Sequence, residues 1–383
     1  MPTAMSQTSR ILLLLVLIQA IGCTSQPTQP RVPSRYEGLR FLDQIESAFA
    51  ISNDSPLLAE QIMPTARRPA QRTPASCWPA VVHLSALAEA ARLDSARFND
   101  VQKFVAATDA YWLASSNEER GGYNAFASTT TPDRYYDDNA WMCLALLDAY
   151  DATRDQALLT RARRALVFAL SGSDDRADGG VYWRELSRTG KYACSTAPTI
   201  LACLRMDATT GRFEFRAPAA VLYRWINKNL QDKDALFFDH VTLGGQVDKT
   251  KISYDSATMI QVNCWWFDST GNKWFLEEAQ RIARAAAAFW LDGATGGVHD
   301  DGAQAHRLVD ALLDLYARDG DPRWLAAAQR TSGFLAALHA DPNGWHPSKW
   351  DIVPRGEPLN LVRLIDQSCC ARTILRTARA SQQ

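Results

Sequence analysis

The stretch LDAYDATRDQALLTRARRAL, residues 147–166, contains the pattern that decides the fold. An apolar helix ends, a short polar turn follows, and a second helix begins. Similar stretches occur at residues 89–107, 204–222, 264–283 and 313–332, at intervals of about 50 to 60 residues. A period of this length indicates a repeated supersecondary unit, here a hairpin of two α-helices.

The two helices of each hairpin differ in kind. Residues 140–150, AWMCLALLDAY, are apolar nearly all round, which is typical of a helix buried on every side. The next helix places Leu158, Ala162 and Leu166 on one face and arginines on the other, as a half-exposed outer helix does. With a first helix around 36–51 and a last helix from about Ser368, six inner and six outer helices predict an (α/α)6 barrel. An open α-solenoid is the alternative, but a closing helix at each end favours a closed ring.

The N-terminal residues read as an export signal. Arg10 precedes the apolar run ILLLLVLIQAI and then Gly22 and Cys23, so residues 1–22 are predicted to be a signal peptide. AIGC, residues 20–23, resembles a bacterial lipobox, in which Cys23 would be lipidated; simple secretion is the alternative. Residues 23–35 would be a polar tether, and 36–383 the barrel domain. We therefore expect an exported protein, either secreted or held in the bacterial cell envelope (outer membrane or periplasm) by a lipid anchor.

Charge and cysteine content limit the partners. The chain has 41 basic and 42 acidic residues, so no overall field attracts nucleic acid. Cys143, Cys203 and Cys264 lie in apolar helical runs and are expected in the core. The remaining cysteines, Cys77, Cys194 and the pair Cys369 and Cys370, could form disulfides in an oxidising compartment. No CxxC pair or His/Cys spacing supports a metal site, and we expect no cofactor, no membrane contact beyond the anchor, and a monomer.

Glycine-rich loops precede the inner helices. They contain the pairs Gly121 and Gly122, Gly179 and Gly180, Gly244 and Gly245, and Gly296 and Gly297, and the single Gly344. Each loop joins an outer helix to the next inner one, so all of them should gather at one end of the barrel. They are either well-formed turns or the walls of a site, since sites are usually built from loops on one end of a rigid scaffold.

The stretch YYDDNAW, residues 135–141, places two adjacent aspartates in this position. In the simplest interpretation Asp138 is a helix N-cap and Asp137 a solvated neighbour. The flanking Tyr135, Tyr136 and Trp141 favour a site instead. Two adjacent carboxylates resist double ionisation, so one would be charged and one protonated. Glycoside hydrolysis needs that division, and a separation of about 5–5.5 Å would give retention of configuration.

YYDDNAWMCLALLDAY resembles the signature of glycoside hydrolase family 76, the bacterial endo-α-1,6-mannanases and their fungal transglycosidase relatives. GGVYWRE with GKYACSTAPTILACLRMDATTG, and YDSATMIQVNCWWFDSTGNKWFLEEAQRIA, resemble two further blocks of that family. The resemblance runs from about residue 75 to 340. It implies an (α/α)6 barrel and retention, with Asp137 as nucleophile and Asp138 as acid/base.

Other residues on the same face are candidate sugar contacts. Asn139 could steady a carboxylate or a sugar hydroxyl, and Asp255 either caps its helix or contacts a sugar hydroxyl. The remaining candidates for substrate binding are Tyr136, Trp141, Tyr182, Trp183, Tyr254, Asp300, Asp301 and Trp345.

Two other kinds of protein stay open at this point. One is another (α/α)6 carbohydrate enzyme, either an unsaturated uronyl hydrolase or an N-acylglucosamine 2-epimerase-like isomerase that would use histidines such as His299 and His306. The other is a surface glycan-binding lipoprotein without catalysis.

Overall fold

The helices of the protein alternate between an inner and an outer ring. The computed structural model describes residues 31–52, 55–65, 72–114, 121–354 and 356–382, and these contain twelve α-helices. The outer helices are α1 (Arg35–Phe49), α3 (Phe98–Ala107), α5 (Ala157–Leu170), α7 (Arg216–Leu230), α9 (Lys273–Trp290) and α11 (Pro322–Ala337). The inner helices are α2 (Cys77–Leu93), α4 (Tyr136–Thr153), α6 (Ala193–Thr210), α8 (Ser253–Thr270), α10 (Gly302–Asp319) and α12 (Leu364–Ala380). The last helix begins at Leu364, earlier than the predicted Ser368.

The inner helices form a closed ring. Each packs on the next in chain order, and α12 packs on α2. The closing contact includes a buried hydrogen bond between His83 Nδ1 on α2 and Ser368 Oγ on α12, at 3.1 Å. This closure confirms the predicted (α/α)6 barrel over the open solenoid.

The burial of each helix follows its sequence pattern. In α4 the run from Asn139 to Ala149 is buried on all sides, whereas α5 buries Leu158, Ala162 and Leu166 and leaves its arginine face partly exposed. Short turns join each inner helix to the following outer one. Gly271 ends α8 with φ +66°, a left-handed conformation that glycine adopts without strain.

Longer segments lie at the opposite end, before each inner helix, and all of them except the one before α10 contain short strands. The largest is an antiparallel sheet in the order β6-β7-β8-β9, from Tyr182–Arg184, Ser187–Tyr192, His240–Thr242 and Val247–Asp248. The other strands are β1 (Ala50–Ser52), β2 (Ser55–Leu58), β3 (Gln61–Ile62), β4 (Trp112–Leu113), β5 (Gly122–Tyr123) and β10 (Val362–Arg363). All five glycine motifs fall in these segments, which confirms that they gather at one end. We call this the loop end, and the opposite one the turn end.

The cysteines and the N-terminus complete the comparison with the sequence. All seven cysteines from Cys77 to Cys370 are free, so the predicted disulfides are absent among the described residues. Cys77, Cys369 and Cys370 are buried as free thiols within inner helices, and Cys194 is partly buried. Residues 1–30, with the predicted signal peptide, Cys23 and most of the tether, lie outside the described part of the chain. Within the described residues, no helix combines the length and apolarity needed to cross a membrane.

Candidate active site

A cavity of about 220 Å³ opens at the loop end of the barrel, where the inner helices begin. We call it the cleft. It is lined by Trp78, Asp137, Trp183, Tyr192, Cys194, Asp239, Ile252, Tyr254 and Gln304. Four of these, Trp78, Asp137, Cys194 and Tyr254, are each the second residue of an inner helix. The barrel repeat therefore places equivalent positions around one hollow.

The two adjacent aspartates lie in the first turn of α4. The N-cap is Tyr135, so the simple interpretation of Asp138 as a cap was wrong. Asp137 Oδ1 accepts a hydrogen bond from the backbone N–H of Asp138, and its Oδ2 accepts one from the indole N–H of Trp183, both at 3.0 Å. Both aspartates are half-buried. The helix N-terminus and the two donors favour the ionised form of Asp137.

The electrostatics of the pair separate its two members. Burial raises the pKa of Asp137 to about 7, against the hydrogen bonds that favour its anion. Burial raises the pKa of Asp138 well above its usual value, and the neighbouring Asp137 carboxylate raises it further. When the pair holds a single proton, these shifts favour that proton on Asp138.

A hairpin of β6 and β7 holds Trp183 in place. Tyr135 forms a backbone bridge with Arg184, whose guanidinium bonds to Asp133 at 2.6 Å. The ring of Trp183 meets that of Tyr135 edge-on, with centroids 5.2 Å apart. The donor to Asp137 is thus fixed from the segment that leads into α4.

Asp255 is the third acid at this end. It is the third residue of α8, as Asp138 is of α4, and Ile252 is the N-cap, so the prediction that Asp255 caps its helix was wrong. Its side chain is fully buried, and neither carboxyl oxygen has a hydrogen-bond partner among the described residues. Burial raises the pKa of Asp255 well above its usual value, with further contributions from Asp239, Asp300 and Asp137. Burial therefore favours the protonated form of Asp255.

The predicted aromatic contacts divide into two groups. Trp183 is 43% exposed and Tyr254 lines the cleft, with its hydroxyl donating to the carbonyl oxygen of Cys194 at 2.8 Å. Trp141 lies beneath, where its indole N–H donates to the Tyr254 hydroxyl and the Arg307 guanidinium carbon sits 3.5 Å from its ring centroid. Trp141 therefore supports the cleft but does not line it.

Four other predicted contacts lie in the packed interior instead of the cleft. Tyr136 stacks on Phe168, and Tyr182 donates its hydroxyl to Asp174. Asn139 bonds through its amide to both backbone groups of Tyr123, and Trp345 packs against Phe41 and Phe49. The structure therefore gives these residues structural contacts, because their rings and amide point between helices or into the adjoining loops.

The acidic pair Asp300 and Asp301 organises helix ends. Asp300 Oδ2 accepts from the backbone N–H of Ser253, the first residue of α8, at 2.9 Å. Asp301 is the N-cap of α10 and lies 3.4 Å from the Lys349 ammonium. Neither is among the cleft-lining residues.

The two histidines of the rival isomerase prediction are placed elsewhere. His306 is buried and donates from Nδ1 to the carbonyl of Gly302, while His299 is 3.2 Å from Asp351. Two clusters of metal-type donors do occur in the described chain: Asp239, His240 and Asp248 beside the cleft, and His339, His346 and Cys370 away from it.

Several cleft residues were missed from the sequence. Trp78 and Cys194 could have been found by aligning the inner helices, since they share the second position with Asp137. Asp239 and Tyr192 had no such signal, because they lie on the edges of strands that carry no clear pattern.

A closed ring of helical hairpins with two half-buried acids at the mouth of one helix defines the class of protein: an (α/α)6-barrel carbohydrate-active enzyme. The family model for glycosyl hydrolase family 76 matches residues 65–310, more than half of the chain. The chain belongs to this family and is a glycoside hydrolase.

Solved structures of other proteins share the fold. A family 76 α-mannanase from Bacteroides thetaiotaomicron has a TM-score of 0.85 and 25% identity, with 91% of this chain and 97% of that chain covered. The α-1,6-mannanase of a Salegentibacter species has a TM-score of 0.74 and 17% identity, covering 91% and 100%. An inactive variant of that enzyme, with two consecutive aspartates changed to alanine, is in complex with α-1,6-mannotetrose.

A more distant likeness is to cellobiose 2-epimerase from Spirochaeta thermophila, with a TM-score of 0.66 and 15% identity over 91% of this chain and 97% of that chain. No curated protein sequence matches the chain.

Proposed function

We propose that the protein is a retaining glycoside hydrolase that cleaves α-mannosidic linkages, specifically those of α-1,6-mannan. Asp137 is the nucleophile and Asp138 the acid/base. The observation that carries the proposal is the asymmetry of the pair: Asp137 receives two hydrogen bonds that favour its anion, whereas Asp138 receives the repulsion that keeps it protonated.

In this mechanism the Asp137 carboxylate attacks the anomeric carbon while Asp138 gives its proton to the leaving glycosidic oxygen. The new bond joins Asp137 to the sugar, and the aglycone leaves as an alcohol. Asp138, now a carboxylate, takes a proton from water, which attacks the same carbon and releases Asp137. Trp183 holds the attacking carboxylate throughout, and its exposed ring offers a stacking face for a sugar.

The comparisons support the choice of substrate. Both a 25% identical neighbour and a more distant one are mannanases, and the inactive double-aspartate variant binds a linear α-1,6-mannose oligomer. Asp137 and Asp138 are likewise consecutive and lie at the cleft.

Asp255 is fully buried next to the cleft-lining Tyr254, so a contact from it to a sugar hydroxyl requires the side chains above it to move when substrate binds. A buried, protonated carboxyl group without a protein partner can both donate and accept a hydrogen bond, and leaving it unpaired is costly. Asp255→Asn retains a donor and an acceptor, so we expect kcat/KM to fall no more than about tenfold, whereas Asp255→Ala should lower it about 100-fold. Equal losses in the two variants would argue against this contact.

The rival isomerase has less support. An epimerase of this fold class would need histidines at the reacting carbon, and the described residues that line the cleft include no histidine. A binding lipoprotein without catalysis is also disfavoured, because both acids are present and differ in protonation. We further propose export, with Cys23 as a lipid anchor, on the sequence of residues 1–23.

The test is incubation with α-1,6-mannan and with α-1,2-, α-1,3- and β-1,4-linked mannans, followed by product analysis and by proton NMR of the first anomer released. We expect α-configured oligosaccharides from the α-1,6 substrate alone. Release of β-configured product would contradict the proposed retention of configuration. Cleavage of another linkage would contradict the proposed α-1,6-mannan substrate.

Azide rescue assigns the two acids on an activated aryl α-mannoside. Asp137→Ala should yield the β-mannosyl azide by direct displacement, while Asp138→Ala should yield the α-mannosyl azide by way of the covalent intermediate. The reversed pattern would exchange the two roles.

A further inference from the structure

The loop after α11 brings two histidines against a cysteine of α12. His339, His346 and Cys370 are buried, and one possible ligand atom from each lies within 4.8 Å of the other two. The Nδ1 atoms of the two histidines are 3.1 Å apart, and their rings are nearly parallel, at 16°. For comparison, two nitrogens bound to one tetrahedral zinc ion at about 2.0–2.1 Å lie about 3.3 Å apart.

The surroundings hold these groups in a ligating orientation. His339 Nε2 donates to the carbonyl oxygen of Lys349 at 2.7 Å, which leaves a lone pair on Nδ1 of the neutral ring. A carbonyl acceptor on the far nitrogen is the usual partner of a metal-binding histidine. The backbone of His346 is fixed by Gln367 of α12, which accepts from its N–H and donates to its carbonyl, both at 2.9 Å.

The sulfur has an unusual neighbour. The indole N–H of Trp350 is fully buried without a hydrogen-bond partner among the described residues, and it lies where it favours the Cys370 thiolate. A neutral thiol is a weak acceptor, so it leaves this donor nearly unpaired. A metal-bound thiolate would satisfy it.

Both histidines are available in the neutral form. Burial lowers the pKa of His339 to about 4 and that of His346 well below its usual value. Burial raises the pKa of the Cys370 thiol well above its usual value. The charged side chains that act on the group are Asp351 from the loop and Asp366 from α12.

We propose that His339, His346 and Cys370 form a buried site for one zinc-class divalent cation, which fastens the α11–α12 loop to α12. Two imidazole nitrogens and a thiolate suit a borderline-soft cation. On binding, the proton on Nδ1 of His346 moves to its Nε2, and the thiol proton of Cys370 leaves to solvent. One proton is therefore released per cation.

Chelator-treated wild-type protein, titrated with ZnCl₂ and separately with CoCl₂, tests the site. We expect one equivalent of zinc with a dissociation constant below about 1 µM, a rise in the thermal unfolding midpoint, and the thiolate-to-cobalt charge-transfer band. Affinity should rise about tenfold per pH unit, because one proton is released.

Cys370→Ser should weaken binding at least about 100-fold and abolish the charge-transfer band. Cys369→Ser is the matched control, because it removes the adjacent buried thiol and should leave binding unchanged. Asp137→Asn should also bind normally, which separates this site from the proposed chemistry.

Two results would overturn the proposal. If native wild-type protein binds no zinc, the histidines only share a hydrogen bond. If Cys370→Ser binds as wild type does while His240→Gln does not, the cation sits at the Asp239, His240 and Asp248 cluster instead.

Discussion

The two ends of the barrel bury acidic side chains in opposite surroundings. At the loop end, Asp137, Asp138 and Asp255 form no ion pair among the described residues. At the turn end, the thirteenth residues of the inner helices are Glu89, Asp148, Arg205, Trp265, Asp314 and Arg376. All of them except Glu89 line a cavity of about 140 Å³, together with the further arginines Arg92, Arg307, Arg372 and Arg379. The same scaffold therefore carries acids without a counter-charge at the loop end, and acids paired with arginines at the turn end.

The charge state of a buried aspartate in this protein is decided by whether it has an arginine partner, and not by how deeply it is buried. Asp148 bonds to Arg205 at 2.7 Å and approaches Arg372 at 3.4 Å, and these guanidinium groups lower its pKa although burial alone would raise it. Asp137 is desolvated without such a cation, and its pKa rises to about 7. The ion pairs at the turn end stabilise the fold. At the loop end the unpaired carboxyl groups cost stability, and their raised pKa values are of the kind found in catalytic acids.

The largest effect expected from this difference between the two ends is on turnover. We expect Asp137→Asn to lower kcat on α-1,6-mannan by about 10⁴-fold, because the proposed covalent step would lose its nucleophile. The variant should fold with equal or greater stability, since an uncompensated carboxyl group is removed. Activity within tenfold of wild type would place the chemistry elsewhere.

At the turn end, an aspartate-to-asparagine substitution should lower the stability of the fold instead of the turnover. Asp148→Asn leaves Arg205 and Arg372 short of a counter-charge, so the free energy of unfolding should fall by about 3–5 kcal/mol. Urea unfolding measures this, and kcat per folded molecule should stay within about twofold. Asp151→Asn is the matched control: its side chain is 34% exposed in the same network, and the loss should stay below about 1 kcal/mol.

The two ends should also respond to pH in opposite directions. The pKa of Asp137 in the folded protein lies above its usual 3.8, so the contribution of this one group to the stability of the wild type is lost as pH rises from about 4 to about 7. The pKa values of Asp148 and Asp310 lie below 3.8, so their contribution is present above about pH 4 and is lost as pH falls. Unfolding measured from pH 3 to 8 should show the advantage of Asp137→Asn growing to about 4 kcal/mol by pH 7. An advantage independent of pH would contradict the raised pKa.

The smallest effect concerns the hydrogen bond from Trp183. Trp183→Phe keeps a ring but removes the donor to Asp137, so the carboxylate is harder to ionise. The acidic limb of the kcat/KM profile should move up by about one pH unit, with a loss of up to about tenfold at neutral pH. Trp274→Phe, on the exposed face of α9, should leave the profile unchanged. A uniform loss without a shift would indicate only a stacking role for Trp183.

The helices could be predicted from sequence because their signal is local and repeated. The apolar run of α4 and the one-sided pattern of α5 identify an inner and an outer helix without tertiary information. The position of Asp137 and Asp138 at the loop end followed from the alternation of long and short connections.

The details of the site depended on contacts between distant segments. Whether Tyr136 or Trp183 faces the cleft depends on the β6–β7 hairpin, which has weak strand signals and packs against the segment before α4. A cap was one interpretation of Asp138 and of Asp255, and the structure excludes it because backbone geometry moves each helix start upstream to Tyr135 or Ile252. The His339, His346 and Cys370 cluster had no sequence signal, since its members are spaced by 7 and 24 residues.

The contact of α12 with α2 also bears on the order of events during synthesis. The hydrogen bond from Arg372 to the carbonyl of Ser85 joins residues separated by 287 positions, and that from Arg379 to Glu89 spans 290. Contacts of such separation form slowly and only after α12 has left the ribosome. Until then α2 and α10 present unpaired inner faces, so a nascent chain stays open through most of its translation. Under the proposed export, that delay would keep the polypeptide unfolded enough to pass through a translocon.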